Sequence, residues 1–255
     1  VWHGSGGVNG DYRFSSPRVN PSVPVHRLSA LLLLLLLLAA CGSGEDVAGP
    51  DGPAPDEAEP RTYRMGWFIN SPRPTHASLF AAIDSMSKVA DVAFLQENPP
   101  WEQLLDGASI AELASERGEL AAYLRALGME VAYLADPLDG LNRRTEPPAL
   151  VEAGRSIMEP EIRALHEEWV RAIVREIQPR WMGLASEINT LGQHGDPALY
   201  DRLVEVVNGL AAEIREIAPD TDVFVSFQVE DAWGLHGPSR VDDPFALIGD
   251  FDIDF

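Results

Sequence analysis

From residue 63 onward the chain alternates short apolar runs with longer stretches whose apolar residues recur every three or four positions. Residues 63–69 form an apolar run closed by Asn70-Ser71-Pro72-Arg73-Pro74, the pattern of a strand running into a loop. Thr75 is suited to cap a helix, and Leu79, Phe80, Ile83 and Met86 keep helical spacing up to about Ala90. A second strand, 92–95, leads into Gln96-Glu97-Asn98-Pro99-Pro100-Trp101. Between Ser109 and Gly128 the residues Leu120, Tyr123, Leu124 and Leu127 mark one helix face, with Gly128 as its stop. A third strand, 130–134, ends in a long polar loop through Asp136, Asp139 and Arg143. The next helix starts near Pro160, carries Ile162, Leu165, Trp169, Ile173 and Ile177, and stops at Pro179. Strand four spans 181–185, and a helix face of Leu199, Leu203, Val206, Leu210, Ile214 and Ile217 follows it. Strand five is expected over 223–230, and a sixth begins at 251–255.

Strands alternating with amphipathic helices imply right-handed βαβ units and a parallel sheet. The spacing remains compatible with an open doubly wound sheet. Two features favour a barrel: each strand ends in a polar, aromatic-bearing loop, and no glycine-rich nucleotide turn follows strand one. The fold class expected is therefore α/β, a (β/α)8 TIM barrel that is incomplete, with about five and a half βα units present. On this reading 61–255 is the N-terminal part of the barrel.

The preceding residues are of another kind. Residues 1–24 show no apolar periodicity and read as upstream sequence translated in frame or as disordered. Residues 25–40 combine a short basic start, the run Leu31 to Leu38 and a small-residue exit, the layout of a secretory signal. The run is too short to span a bilayer. Leu38-Ala39-Ala40-Cys41 resembles the lipobox of bacterial lipoproteins; the resemblance implies cleavage before Cys41, lipidation of its thiol and attachment to a membrane of the cell envelope. Residues 42–60 are Gly, Pro, Ala and acid, a solvated tether. Cys41 is the only cysteine, so neither an intramolecular disulfide nor a thiolate metal cluster can form.

Charge narrows the partners. With 19 Lys+Arg against 40 Asp+Glu the formal net charge is -21, which argues against nucleic acid and anionic polymers. Placing the loops at one end of a barrel gathers Asn70, Arg73, Gln96, Glu97, Trp101, Asp136, Asp139, Arg143, Glu187, Asn189, Gln228, Glu230 and Trp233. Amides and acids pair with hydroxyls, tryptophan faces stack on sugar rings, and two carboxylates can serve as acid and nucleophile. Glu187 is the focus. Alternation along strand four puts Trp181, Gly183, Ala185 and Glu187 on one face, thinned by its two small residues. Parity puts Ser226, Gln228 and Glu230 together on the axis side of strand five. Trp101 and Trp233, in loops, are stacking candidates, whereas Trp169 belongs to the core. Asp136, Asp139 and Arg143 read equally as an ion-paired loop staple or as ligand contacts.

Ser186-Glu187-Ile188-Asn189 resembles the strand-four motif of the clan of retaining glycoside hydrolases with (β/α)8 barrels, which includes the endo-galactanase and cellulase-like families. The resemblance implies that Glu187 is the general acid/base of a two-carboxylate mechanism on a neutral poly- or oligosaccharide. It also implies that the nucleophile closes a seventh strand, beyond residue 255. Ser186 stands where that clan carries Asn. Asn189, Glu230, Gln228, Trp233, Trp101, Glu97 and Asn70 are the expected substrate contacts. The alternatives are a surface lipoprotein that binds glycan without cleaving it and an open α/β solute-binding domain. No cofactor is expected. His194 and His236 follow strands four and five, but no H-E-x-x-H spacing supports a metal site. His76 and His166 fall on helices as surface or capping residues.

Overall fold

The computed structural model describes residues 61–255 apart from Asn70 and Pro74. Cys41, Asn70 and the segments up to residue 60 lie outside the described residues.

Five short strands, β1 (Gly66–Phe68), β2 (Val92–Glu97), β3 (Glu130–Ala135), β4 (Trp181–Gly183) and β5 (Asp222–Phe224), pair in parallel in chain order. The helices between them are α1 (His76–Met86), α2 (Trp101–Leu105), α3 (Ile110–Ala126), α4 (Pro148–Glu152), α5 (Pro160–Ile177), α6 (Ile188–His194) and α7 (Pro197–Ile217). After β5 come the short α8 (Val229–Ala232) and a 3-10 turn over Pro244–Asp250. Local chemistry sets the helix starts. The Thr75 hydroxyl accepts the Ser78 N–H at 3.2 Å, Ser109 caps α3, and Asp196 caps α7 just before Pro197.

The two faces of the sheet differ. Ala93, Val131, Tyr133, Met182 and Val223 are buried in the core together with Ile83, Leu124, Trp169, Ile173, Leu203 and Leu210 of the helices. Phe68, Phe94, Leu134, Gly183 and Phe224 take the opposite parity. The Phe94 and Phe224 rings lie 6.0 Å apart although β3 and β4 separate their strands. In a flat sheet, three strand spacings would hold them about 14 Å apart. The sheet therefore curls into an arc of barrel wall, closing its inner face over aromatic side chains, and the fold is the α/β, partial TIM barrel of the sequence pattern.

Gly183 permits that closure. A Cβ there would sit 2.6 Å from Leu134 Cγ and 2.7 Å from Phe224 Cζ. The space cleared on the Glu187 face of β4 is filled by neighbours from β3 and β5. Gly183→Ala is expected to cost about 1–3 kcal/mol by overpacking, read as a lowered denaturation midpoint at unchanged m-value.

Two sequence expectations change here. No strand forms over 251–255: Asp254 donates its N–H to Val223 O at 2.9 Å, but the Val223 N–H goes to the Asp254 carboxylate at 2.7 Å. A side chain takes the acceptor place that a regular ladder gives to backbone, and Phe255 stacks on Phe224 at 5.5 Å. His166 is not a surface residue. It is buried on α5 and stacked on Trp101 at 6.2 Å, and burial lowers its pKa from 6.5 to about 4. The unfolded chain thus takes up this proton first. The His166 contribution to stability should fall by about 3 kcal/mol as pH drops from 6.5 to 4. His166→Phe should remove that slope, which denaturant unfolding across the same interval reads directly.

Candidate active site

The C-terminal ends of β2, β3 and β4 deliver a connected polar cluster. Gln96, on the inner face of β2, donates Nε2–H to Asp136 Oδ2 at 3.0 Å. Asn98 ties down the following turn through the carbonyls of Asp136 at 2.7 Å and Leu138 at 2.6 Å. Asp136 Oδ1 accepts the Leu138 N–H at 3.2 Å, and Arg143 donates Nη1–H to Oδ2. The same guanidinium donates Nε–H to Glu187 Oε2 at 3.2 Å. Arg143 thus joins two carboxylates from different strand ends. Burial raises the Asp136 carboxyl above its ordinary range; the Arg143 charge and the bonds from Leu138, Gln96 and Arg143 oppose that rise.

Glu187 sits at the turn from β4 into α6 with φ 50° and ψ 38°. A left-handed backbone is uncommon for a residue with a Cβ, and such strain concentrates where a side chain must be aimed. Ser226 holds the turn: its hydroxyl accepts the Glu187 N–H at 2.9 Å and lies 3.3 Å from Ser186 Oγ, and its carbonyl accepts the Ile188 N–H at 3.1 Å. Ser186 is buried in this bond. The Glu187 side chain keeps 35% exposure and faces solvent with its ion pair.

The other expected contacts separate. Gln228 stays half-buried at the exit of β5. Asn189 is fully buried, with Nδ2–H on Gln228 O at 2.9 Å and Oδ1 accepting the Gln228 N–H at 2.7 Å; it clamps α6 to the β5 exit instead of facing a ligand. Glu97 has the helix-facing parity of Ala93 and Leu95. It binds Arg117 at 3.1 and 3.2 Å, accepts the Tyr133 hydroxyl, and lies behind the sheet, where Arg117 covers Trp169 at 5.4 Å. Trp101 opens α2 and is 2% exposed, so it is a core residue and not a loop platform. Glu230 lies on α8, exposed, because the strand ends at Phe224 and the chain has left the sheet before reaching it. Trp233 closes α8 and is 66% exposed. Asp139 turns inward on its own loop, accepting the Leu141 N–H at 2.9 Å.

One group escaped the sequence reading. Asp231, on α8, is 2% exposed; Thr190 donates its hydroxyl to Oδ2, while Oδ1 lies 2.9 Å from His236 Nδ1 and 3.5 Å from His194 Nε2. Burial alone would raise this carboxyl, but the bonds from Thr190 and His236 and the nearby histidines hold it below the ordinary range. Of its partners, only His236, five residues on, was near enough in sequence to hint at a contact. Among the described residues, no cluster of three or more His, Cys, Asp or Glu is arranged to hold a metal ion.

A cavity of about 710 Å³ opens at the other end of the sheet, beside Arg125, Glu130, Arg180 and Asp220. There Arg125 donates to the carbonyls of Ile177 at 2.5 Å and Gln178 at 2.8 Å, which caps the C-terminus of α5. Cations at helix C-termini stabilise the fold, and this end of a barrel wall is the structural one.

No known protein family and no curated protein matches the chain. Solved structures resemble it loosely. GH5_18 from Bifidobacterium longum subsp. longum is 15% identical at a TM-score of 0.48, covering 70% of this chain and 45% of that one. A β-glucosidase from Exiguobacterium marinum is 14% identical at 0.46, covering 58% and 36%. A D-psicose 3-epimerase determined in the presence of D-fructose is 17% identical at 0.36, covering 63% and 51%. The chain therefore spans about half or less of the length of these three structures.

Proposed function

We propose that the protein acts on a neutral poly- or oligosaccharide at the open ends of β2 to β5, as a glycoside hydrolase of the two-carboxylate, retaining kind. The observation that carries the reading is Glu187: a part-exposed carboxylate, on a left-handed turn at the end of β4, joined through Arg143 to the buried Asp136. Effort of that kind is seldom invested in a solvated strand-end acid. Asp136 is enclosed, with both oxygens bonded, so it positions Arg143 and does not reach substrate. The partner carboxylate on this reading comes from a later strand of the same barrel. The chain is further proposed to be exported to the cell envelope and anchored by lipid at Cys41.

The second reading, glycan binding without cleavage, is favoured by the ion pair itself. A carboxylate held by Arg143 is ready to accept hydroxyl protons in hydrogen bonds or to stabilise positive charge, whereas donating a proton requires Arg143 to withdraw. A panel of 4-nitrophenyl glycosides and neutral polysaccharides separates the two readings. Nitrophenolate release with the product anomer retained supports the hydrolase. Calorimetric binding without release supports the binder, and neither response on the complete chain overturns both.

A further inference from the structure

The hydrogen bonds between the exits of β4 and β5 depart from a regular ladder. Leu184 donates its N–H to Phe224 O at 3.0 Å; a regular parallel pair would then return the Ser226 N–H to Leu184 O and bring the Ser186 N–H to Ser226 O. Instead the Ser226 N–H goes to Ala185 O at 3.0 Å, and Ser226 O takes the Ile188 N–H at 3.1 Å. Ser186 and Glu187 are therefore extra to the ladder and bulge out of it. A bulge re-aims a side chain and leaves backbone groups without their ladder partners. The Ser226 hydroxyl fills that gap: it accepts the Glu187 N–H at 2.9 Å and lies 3.3 Å from the hydroxyl of the buried Ser186. Just beyond, Asn189 bonds both backbone groups of Gln228, which closes the bulge on its far side.

Glu187 stands at the N-cap of α6, yet its carboxylate accepts no N–H of that helix. An acid at this position is favourably placed to cap the helix and meet its dipole. Here Ser226 receives the first N–H groups through its hydroxyl and its carbonyl, and Glu187 Oε2 is left to meet Arg143 Nε–H at 3.2 Å. We propose that Ser226 is the positioning residue of Glu187: its hydroxyl, oriented by Ser186, locks the bulge that turns the carboxylate away from α6 and toward Arg143 at the open strand ends. This rests on the carbohydrate reading and leaves its chemistry as it stands. Glu187 remains the acid–base group of the two-carboxylate mechanism, and Ser226 acts only through it.

Ser226→Ala removes the hydroxyl and keeps the backbone bonds of residue 226. On the complete chain it should lower kcat for 4-nitrophenyl glycosides by about tenfold or more, with KM held within about twofold, because a misplacement of about 1 Å can cost about a hundredfold in rate. The same change made in the Glu187→Gln background should scarcely alter the residual rate, since the group being aimed is already gone. A fall in kcat at least about fivefold larger in the parent than in that background supports the assignment, and a smaller difference overturns it. If Ser226→Ala does not fold, Ser186→Ala, which removes only the partner of the Ser226 hydroxyl, is judged by the same comparison. If the parent cleaves no glycoside, the carbohydrate reading fails separately, and the NMR signal of Arg143 Nε–H decides. In Ser226→Ala that signal should move at least halfway to its position in Glu187→Ala, where the bond to Glu187 is absent; a smaller movement overturns the positioning role.

Discussion

Replacing Glu187 with Gln in the complete chain is expected to lower glycoside hydrolysis by about 10²- to 10⁴-fold, the range that a positioned acid–base group contributes. The fold should survive the change. The oxygen of the new amide can still accept the Arg143 Nε–H, and the turn itself is held by Ser226 through backbone groups that the substitution does not touch. Activity retained in full would remove Glu187 from the mechanism. A companion variant isolates the strain. Glu187→Gly accepts φ 50° without penalty and should raise stability by about 1 kcal/mol while abolishing the same activity. A side chain that costs stability where it stands, and is needed there, is aimed for function; if Glu187→Gly were destabilising, the turn would be structural.

The architecture was legible because periodicity survives tertiary context. The stripes through Ile162, Trp169 and Ile177 and through Leu203, Leu210 and Ile214 are buried against the sheet, and the first five expected strands form near their predicted starts, whereas the sixth does not form. Strand ends were the weak point. Strand five was read through to Glu230, but Asn189 captures the Gln228 backbone on both its amide atoms, which takes the chain out of the sheet and lets α8 form. The parity that would have put Glu230 on the barrel axis stops at that clamp. Glu97 could have been placed from sequence, since it shares parity with Ala93 and Leu95 on the helix-facing side. Trp101 carried a signal too: a residue directly after two prolines is a common helix start, and its burial follows from the helix. Asp231 carried almost none, because Thr190 and His194 reach it from 41 and 37 residues away and its identity as a buried acid depends on them. Contacts between the exits of neighbouring strands are set by the arc of the sheet, which no local window encodes.

Arg143→Met should destabilise the domain by about 3–5 kcal/mol, because it strips the counter-charge from a carboxylate whose side chain is only 3% exposed. Gln96 and the Leu138 N–H remain on Asp136, but neither carries charge. The pH dependence of the loss has a definite sign. Asp136 is already raised by burial, so its folded state holds a proton at higher pH than its unfolded state does. Removing the guanidinium, whose charge opposes that rise, raises it further. Protonation therefore stabilises the variant relative to the parent, and the deficit should be widest near neutrality and narrow as the solution is acidified. Asp136→Asn in the Arg143→Met background should recover most of the neutral-pH loss, giving a coupling energy well above the few tenths of a kcal/mol expected of independent sites. A deficit that neither narrows in acid nor responds to Asp136→Asn would mean that Arg143 matters only through the packing of its stem, and that Glu187 is held in place by the Ser226 turn alone.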